Sequence, residues 1–216
     1  MISSNFKKRL NTSIVLFFLL FLILNFQFFL AYTLIIIGIY SIIEFANILK
    51  KIFNNKSISL ILNMLFITYI FVICFMFFYF SSFFLTKIFL YSILFSCVAS
   101  DIGGYIVGKK LKGPKLTKIS PNKTRSGAIG SVFFSSAIFS ATIFFTTSYF
   151  NYKIIFCGIL ISIACQFGDL IFSFLKRKAK LKDTGNILPG HGGMLDRVDG
   201  YLIGIPIGFL ILVLIL

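Results

Sequence analysis

Seven apolar runs dominate this chain of 216 residues, near 13–30, 31–49, 57–80, 86–108, 127–149, 152–175 and 200–216. Most reach or exceed the roughly 20 residues that a helix needs to cross about 30 Å of hydrocarbon. Lipid offers no partner to backbone N–H and C=O groups, so a spanning segment must satisfy them itself. The runs lack the alternation of a β-barrel, which leaves helices. The expected fold is all-α, a polytopic helical membrane bundle of about seven transmembrane helices. The range is six to eight, because the first two runs are joined by a nearly uncharged turn and the run over 83–108 can be divided. A single domain covers 1–216, broken by polar loops at about 109–126 and 176–199.

The basic residues orient these spans. With seven helices and a cytoplasmic N-terminus, Lys7, Lys8 and Arg9, then Lys50, Lys51 and Lys56, lie inside. So do the seven Lys/Arg from Lys109 to Arg125 and the six from Lys176 to Arg197. Lys87 and Lys153 alone fall outside, so 19 of 21 basic residues follow the positive-inside rule. The net charge of +15 is then mostly topological signal and attraction to anionic headgroups. Nucleic acid is excluded as a partner, since 58% hydrophobic composition leaves no soluble domain to carry a basic face. The basic start resembles a signal peptide, but the apolar run continues past a typical h-region, and it reads as an uncleaved first helix. The four cysteines (Cys74, Cys97, Cys157, Cys165) lie in apolar segments without CxxC spacing and read as packing residues. Gly200, Gly204 and Gly208 share one face of the last span, a pattern for close helix packing.

Acidic residues are scarce, and five of the six (Asp101, Asp169, Asp183, Asp196, Asp199; the sixth is Glu44) flank the two polar loops. Ionisable groups at membrane depth are costly and mark function. Asp169 has Ser173, Lys176 and Arg177 four, seven and eight residues on, one helix face. This is either a polar stripe pointing into the bundle or a helix end with an internal salt bridge. Asp169 lies a turn deeper than the second reading needs. Asp196 and Asp199 share a face at the start of the last span. One of them complements the helix dipole, but the pair flanking Arg197 asks for more. If the last two spans pack together, Asp169 and Asp196 can converge on Mg²⁺, with waters and phosphates completing the shell.

Between them lies Pro189-Gly190-His191-Gly192-Gly193. Its glycines permit close approach of backbone N–H groups to an oxyanion. His191 can contact a phosphate, contact a base or brace the loop. Upstream, Asp101, Tyr105 and Gly108 share a face at the end of the fourth span. Ser120-Pro-Asn-Lys123-Thr124 follows, which suits either a polyphosphate or an ordinary solvated turn.

The run of Ser173, Lys176-Arg177, Lys182-Asp183, Gly185, Pro189, His191-Gly192-Gly193, Asp196-Arg197 and Asp199 resembles the C-terminal signature of the phosphatidate cytidylyltransferase (CDP-diacylglycerol synthase) family. Gly168-Asp169, the segment 120–124, and Asp101 with Tyr105 also resemble family features, and Glu44 resembles a weaker acidic element upstream. The match covers about 101–199; earlier residues are similar mainly in character. The chain departs at Arg125 and Ser126, where members commonly carry an aromatic and an acid, and it is short for the family, which suggests fewer N-terminal helices.

The resemblance implies transfer of the cytidylyl group of CTP to phosphatidate, giving CDP-diacylglycerol and pyrophosphate in phospholipid biosynthesis. It also implies dependence on Mg²⁺, alone or with a second cation, a homodimer, and an active site at the cytoplasmic face of a bacterial-type inner membrane. On that basis Asp169 and Asp196 hold the metal with Ser173 nearby. Lys176, Arg177, Ser120, Lys123, Thr124, His191, Gly192 and Gly193 face the triphosphate, beside Asp101 and Tyr105. Lys182, Asp183, Arg197 and Asp199 order the loop. Two rivals are a CTP-dependent enzyme with another lipid acceptor and a small ion-coupled transporter. Transporters tend to show internal repeats and midplane sites, whereas the charge here gathers at one face.

Overall fold

The computed structural model describes residues 18, 20–117, 119–120, 123–185 and 192–215. Six of its helices are long and apolar enough to cross a bilayer: α1 (Gln27–Ile52), α2 (Lys56–Phe80), α3 (Phe84–Leu111), α4 (Arg125–Thr147), α5 (Tyr152–Lys178) and α6 (Leu195–Ile215). The molecule is an all-helical, polytopic membrane bundle. Residues 13–17 and 19 of the first expected span lie outside the described residues. Its described part is helical over 20–25 and ends at Phe26, whose extended backbone (φ −125°, ψ 116°) separates it from α1. The division between the first two spans therefore comes at 26, earlier than the apolar pattern suggests.

Helix ends follow local chemistry. Asn55, Thr124 and Asn151 cap α2, α4 and α5 by accepting from the backbone N–H of Ser57, Gly127 and Lys153. Basic pairs or triplets close α1, α3 and α5, where Lys and Arg complement the carbonyl end of the dipole. These helices consequently run into what the sequence suggests is loop. The polar connections are 112–124 and 179–194, shorter than the expected 109–126 and 176–199, and Lys176, Arg177, Asp196, Arg197 and Asp199 are helical.

Small residues let the helices of the C-terminal half approach closely. A Cβ on Gly103 would lie 2.8 Å from the Gly130 carbonyl oxygen, and one on Gly127 2.8 Å from that of Gly104, so α3 and α4 nearly touch backbone to backbone. On α6, a Cβ on Gly200 would meet the Cys165 carbonyl at 3.0 Å, one on Gly204 would meet Cys97 Sγ at 2.9 Å, and one on Gly208 would meet Ile161 and Ile93 at 2.9 Å. The glycine face thus seats α6 against α5 and α3, as its spacing suggests. All four cysteines are free; Cys97, Cys157 and Cys165 are buried there. Buried hydroxyls tie the same helices: Ser96 to Ser135 at 2.6 Å, Ser100 to Ser162 at 2.8 Å, and Ser135 donating to the Gly158 carbonyl at 3.0 Å.

The α1–α2 hairpin joins this half through stacked Phe45 and Phe66 (ring centroids 3.8 Å apart), with Phe172 of α5 edge-on to both, and through the Tyr69 hydroxyl, which donates to the Leu202 carbonyl at 2.6 Å. Because successive helices alternate in direction, the connections 53–55, 112–124 and 179–194 gather at one end of the bundle. Lys87 and Lys153 apart, every described Lys and Arg lies in or beside those three connections.

Candidate active site

Each polar connection brings chemistry to that end. Within 112–124, Lys115 and Thr124 pair as an isolated antiparallel bridge, and the Leu116 N–H donates to the Lys123 carbonyl at 2.8 Å. The connection is therefore a small hairpin, not an open loop. Ser126 helps close it: its hydroxyl donates to the Lys112 carbonyl and sits 3.0 Å from the Thr124 hydroxyl, while the Arg125 N–H donates to the Pro114 carbonyl at 3.0 Å. The two departures from the family pattern serve this turn. Beside this bridge, Lys123 reaches α5 and forms an ion pair with Asp169.

Asp169 also accepts from Ser173 Oγ at 3.2 Å through its other oxygen. One helical turn on, buried Lys176 donates from Nζ to Asp196 Oδ1 at 2.6 Å and lies 3.7 Å from Asp199 Oδ2. The close passage of Gly168 against Asp199 and Gly200 sets α5 and α6 together at this level; a Cβ there would be 2.9 Å from the Asp199 carbonyl oxygen. Asp169, Ser173 and Lys176 thus form the polar stripe their spacing suggests. Arg177 departs from it: exposed at the helix end, it donates to the Leu181 carbonyl at 3.2 Å and does not line the cavity.

These groups enclose a cavity of about 540 Å³ between α3, α4, α5 and α6. Asp101, Tyr105, Ser120, Lys123, Thr124, Asp169, Lys176, Asp183, Asp196, Arg197 and Asp199 line it, all among the residues expected to form the site. Lys182 is exposed and outside its lining. His191 lies outside the described residues, as do Pro189 and Gly190.

Asp196 lines the cavity with Asp169 and meets the protein's own donors at both oxygens. Its Oδ1 faces Lys176, while its Oδ2 accepts from the Thr184 N–H at 2.8 Å, the Thr184 hydroxyl at 3.0 Å and the Gly193 N–H at 3.1 Å. A carboxylate so engaged organises the start of α6. In the described part of the glycine turn, Gly192 takes up φ +82°, which favours glycine, and the Gly193 N–H donates to Asp196.

Two residues absent from the expected site complete it. Glu44 of α1 is 2% exposed and accepts from the Thr184 hydroxyl and from the N–H groups of Met194 and Leu195. A lone acid inside an apolar run was the available signal. Thr184 carried none. A second cavity, of about 480 Å³, lies on the other side of Asp183, Thr184 and Gly185, with Asn47, Lys50 and Lys51 as its opposite wall.

The fold and this end-on cavity define an integral membrane protein with a charged hollow at one end of its bundle. Residues 2–215 match the model of the Cytidylyltransferase family, and the chain belongs to that family. It is similar to the phosphatidate cytidylyltransferase of Helicobacter pylori, 53% identical over 53 residues, 24% of this chain and 20% of the relative. Similar proteins of that name from Synechocystis (48% over 59 residues, 27% and 20%) and Bacillus subtilis (50% over 56 residues, 26% and 21%) match segments of like size. The aligned segments thus span about a fifth of these relatives' lengths. The resemblance read from 101–199 extends, at family level, over nearly the whole chain.

Proposed function

We propose that the chain transfers the cytidylyl group of CTP to phosphatidate, giving CDP-diacylglycerol and pyrophosphate. The observation that carries this reading is the cavity itself. Asp101, Lys123, Asp169, Lys176, Arg197 and Asp199 meet in one hollow at the polar end of a membrane bundle whose family is that of cytidylyltransferases.

In the reaction, an oxygen of the lipid phosphate attacks the α-phosphorus of CTP, and the bond from that phosphorus to the β-phosphate bridge breaks, with pyrophosphate leaving. The nucleophile is already anionic, so no side chain need remove a proton. The protein's work is to hold two mutually repelling anions in line and to stabilise the charge that moves onto the leaving group. Lys123 and Lys176 are suited to this, each held by a carboxylate that can release it to a phosphate. Ser120, Thr124 and Arg197 contribute further donors from the cavity wall.

The donor set fits Mg²⁺. Asp101, Asp169 and Asp199 line the same cavity, and hard oxygen ligands are what this ion takes. Among the described residues, no three acidic, His or Cys side chains form a closed cage. This ion commonly uses one or two carboxylates and completes its shell with phosphates and water. Asp169 is the residue we assign to it, assisted by Asp199 or Asp101; Asp196 acts through Lys176 instead. When bound, the ion would neutralise the triphosphate and polarise the reacting phosphorus.

The distribution of basic residues supports a cytoplasmic N-terminus and a site on the cytoplasmic face of a bacterial-type inner membrane. A homodimer is proposed on resemblance alone, and native mass in detergent tests it. The decisive experiment gives the purified full chain labelled CTP, phosphatidate and Mg²⁺ and measures lipid-soluble label. Transfer that requires phosphatidate supports the reading; a folded preparation without transfer overturns it.

A further inference from the structure

We propose that Glu44 is a positioning residue for the cavity, clipping Thr184 and the 194–195 backbone to α1 and setting Lys176 through Thr184 and Asp196. The inference rests on the cytidylyl-transfer reading of the cavity. Glu44 sits well outside the stretch that carries the chemistry and does not line the hollow. Yet its three hydrogen bonds with described residues all go to that stretch: Oε2 accepts from the Thr184 hydroxyl at 2.5 Å and the Leu195 N–H at 2.9 Å, and Oε1 accepts from the Met194 N–H at 2.9 Å.

The surroundings are shaped to this one carboxylate. A Cβ on Gly185 would lie 2.7 Å from Glu44 Oε1. A Cβ on Gly193 would collide with both Glu44 Oε2 and the Thr184 hydroxyl. Glycine is needed at both positions because the acid occupies the volume any side chain would take. A buried carboxylate is costly unless fully hydrogen-bonded, and the donors here come from the two ends of a single connection. Neighbouring Phe45, stacked on Phe66 and touching Phe172, holds the same turn of α1 against α5.

A chain of contacts then leads into the cavity. The Thr184 hydroxyl lies 2.5 Å from Glu44 and 3.0 Å from Asp196 Oδ2, so it is shared between two carboxylates. Asp196 in turn fixes Lys176 at 2.6 Å. Moving Glu44 frees Thr184 and tilts Asp196, and with it the cation that faces the substrate. Misplacement of a reacting partner by about an ångström costs roughly a hundredfold in rate.

The test compares Glu44→Gln, Thr184→Val and their double variant in the full chain, in detergent with phosphatidate. Glu44→Gln keeps the shape and replaces one acceptor by a donor; Thr184→Val keeps the shape and removes the hydroxyl. Each single variant should lower kcat by about ten- to a hundredfold with the KM for phosphatidate unchanged. The double variant should be no worse than the poorer single one, because both break the same chain of contacts. Thr184→Ser, which restores the hydroxyl, should recover most of the rate. Independently of activity, hydrogen exchange at the Met194 and Leu195 amides should quicken in Glu44→Gln. Additive losses, or wild-type kcat and amide exchange in Glu44→Gln, would overturn the clip. If Glu44→Gln does not fold, a Thr184→Ser variant as slow as Thr184→Val overturns it. Absence of transfer by the wild-type chain would instead overturn the function proposed for the cavity, and the exchange measurement would still decide whether the clip exists.

Discussion

Two aspartates that look equivalent in the sequence do different work. Asp169 is about a third exposed toward the cavity and held by Lys123 and Ser173, whereas Asp196 is nearly enclosed and holds together Lys176, Thr184 and Gly193. Asp169→Asn should therefore nearly abolish turnover and leave the thermal midpoint almost unchanged, since a part-exposed pair contributes about 1 kcal/mol or less. Asp196→Asn should lose turnover and also melt earlier, because an amide presents a donor where four donors converge. Lys176→Met should be the most damaging of the three to stability, by roughly 3–5 kcal/mol, as it leaves Asp196 and Asp199 without their buried cation. Thermal unfolding in detergent, run beside the transfer assay, separates these outcomes. Asp169 could be found from sequence because a charge inside an apolar run is conspicuous, and Lys176 and Asp196 because scarce acids and clustered bases crowd the loop beside it. Their division of labour could not. It depends on how many donors each carboxylate meets, and those donors come from backbone and from Thr184, which leave no mark in the residue pattern.

Helices α3 to α6 are held by what their side chains lack. Lipid gives no hydrophobic reward for bringing two helices together, so close backbone approach and hydroxyl contacts must do it. Gly204→Val and Gly208→Leu should each destabilise by about 1–3 kcal/mol through overpacking against Cys97, Cys165, Ile161 and Ile93, read as a lower thermal midpoint. The i, i+4 glycine spacing made this face legible. The hairpin at 112–124 was not legible, since its bridge pairs Lys115 with Thr124 across residues that look like solvated loop. Helix ends were misjudged for a related reason. A cluster of charge looks like the end of a helix, but lysines at a carbonyl terminus prolong one.

At the scale of the molecule, hydropathy revealed the bundle because lipid imposes so few alternatives, and it revealed the site end because the basic residues gather there. How the α1–α2 hairpin reaches into the site was hidden, since contacts such as Glu44 with Leu195 span most of the chain. Orientation can be measured directly. In intact cells, a membrane-impermeant maleimide should label Tyr152→Cys and spare Lys115→Cys, and disrupted cells should label both; labelling of Lys115→Cys in intact cells would reverse the proposed topology.

The lining of the cavity has one more implication. Over the whole chain 21 basic residues outnumber 6 acidic ones, but among the described residues around the cavity the balance inverts to five acids, Asp101, Asp169, Asp183, Asp196 and Asp199, against Lys123, Lys176 and Arg197. The outer surface therefore draws anions toward the membrane, while the hollow itself selects for visitors that bring counter-ions with them. A bare nucleotide would be gathered at the rim and turned away at the door. Apparent nucleotide affinity should consequently rise with free divalent cation at constant ionic strength, and an equal ionic strength of potassium chloride should fail to substitute.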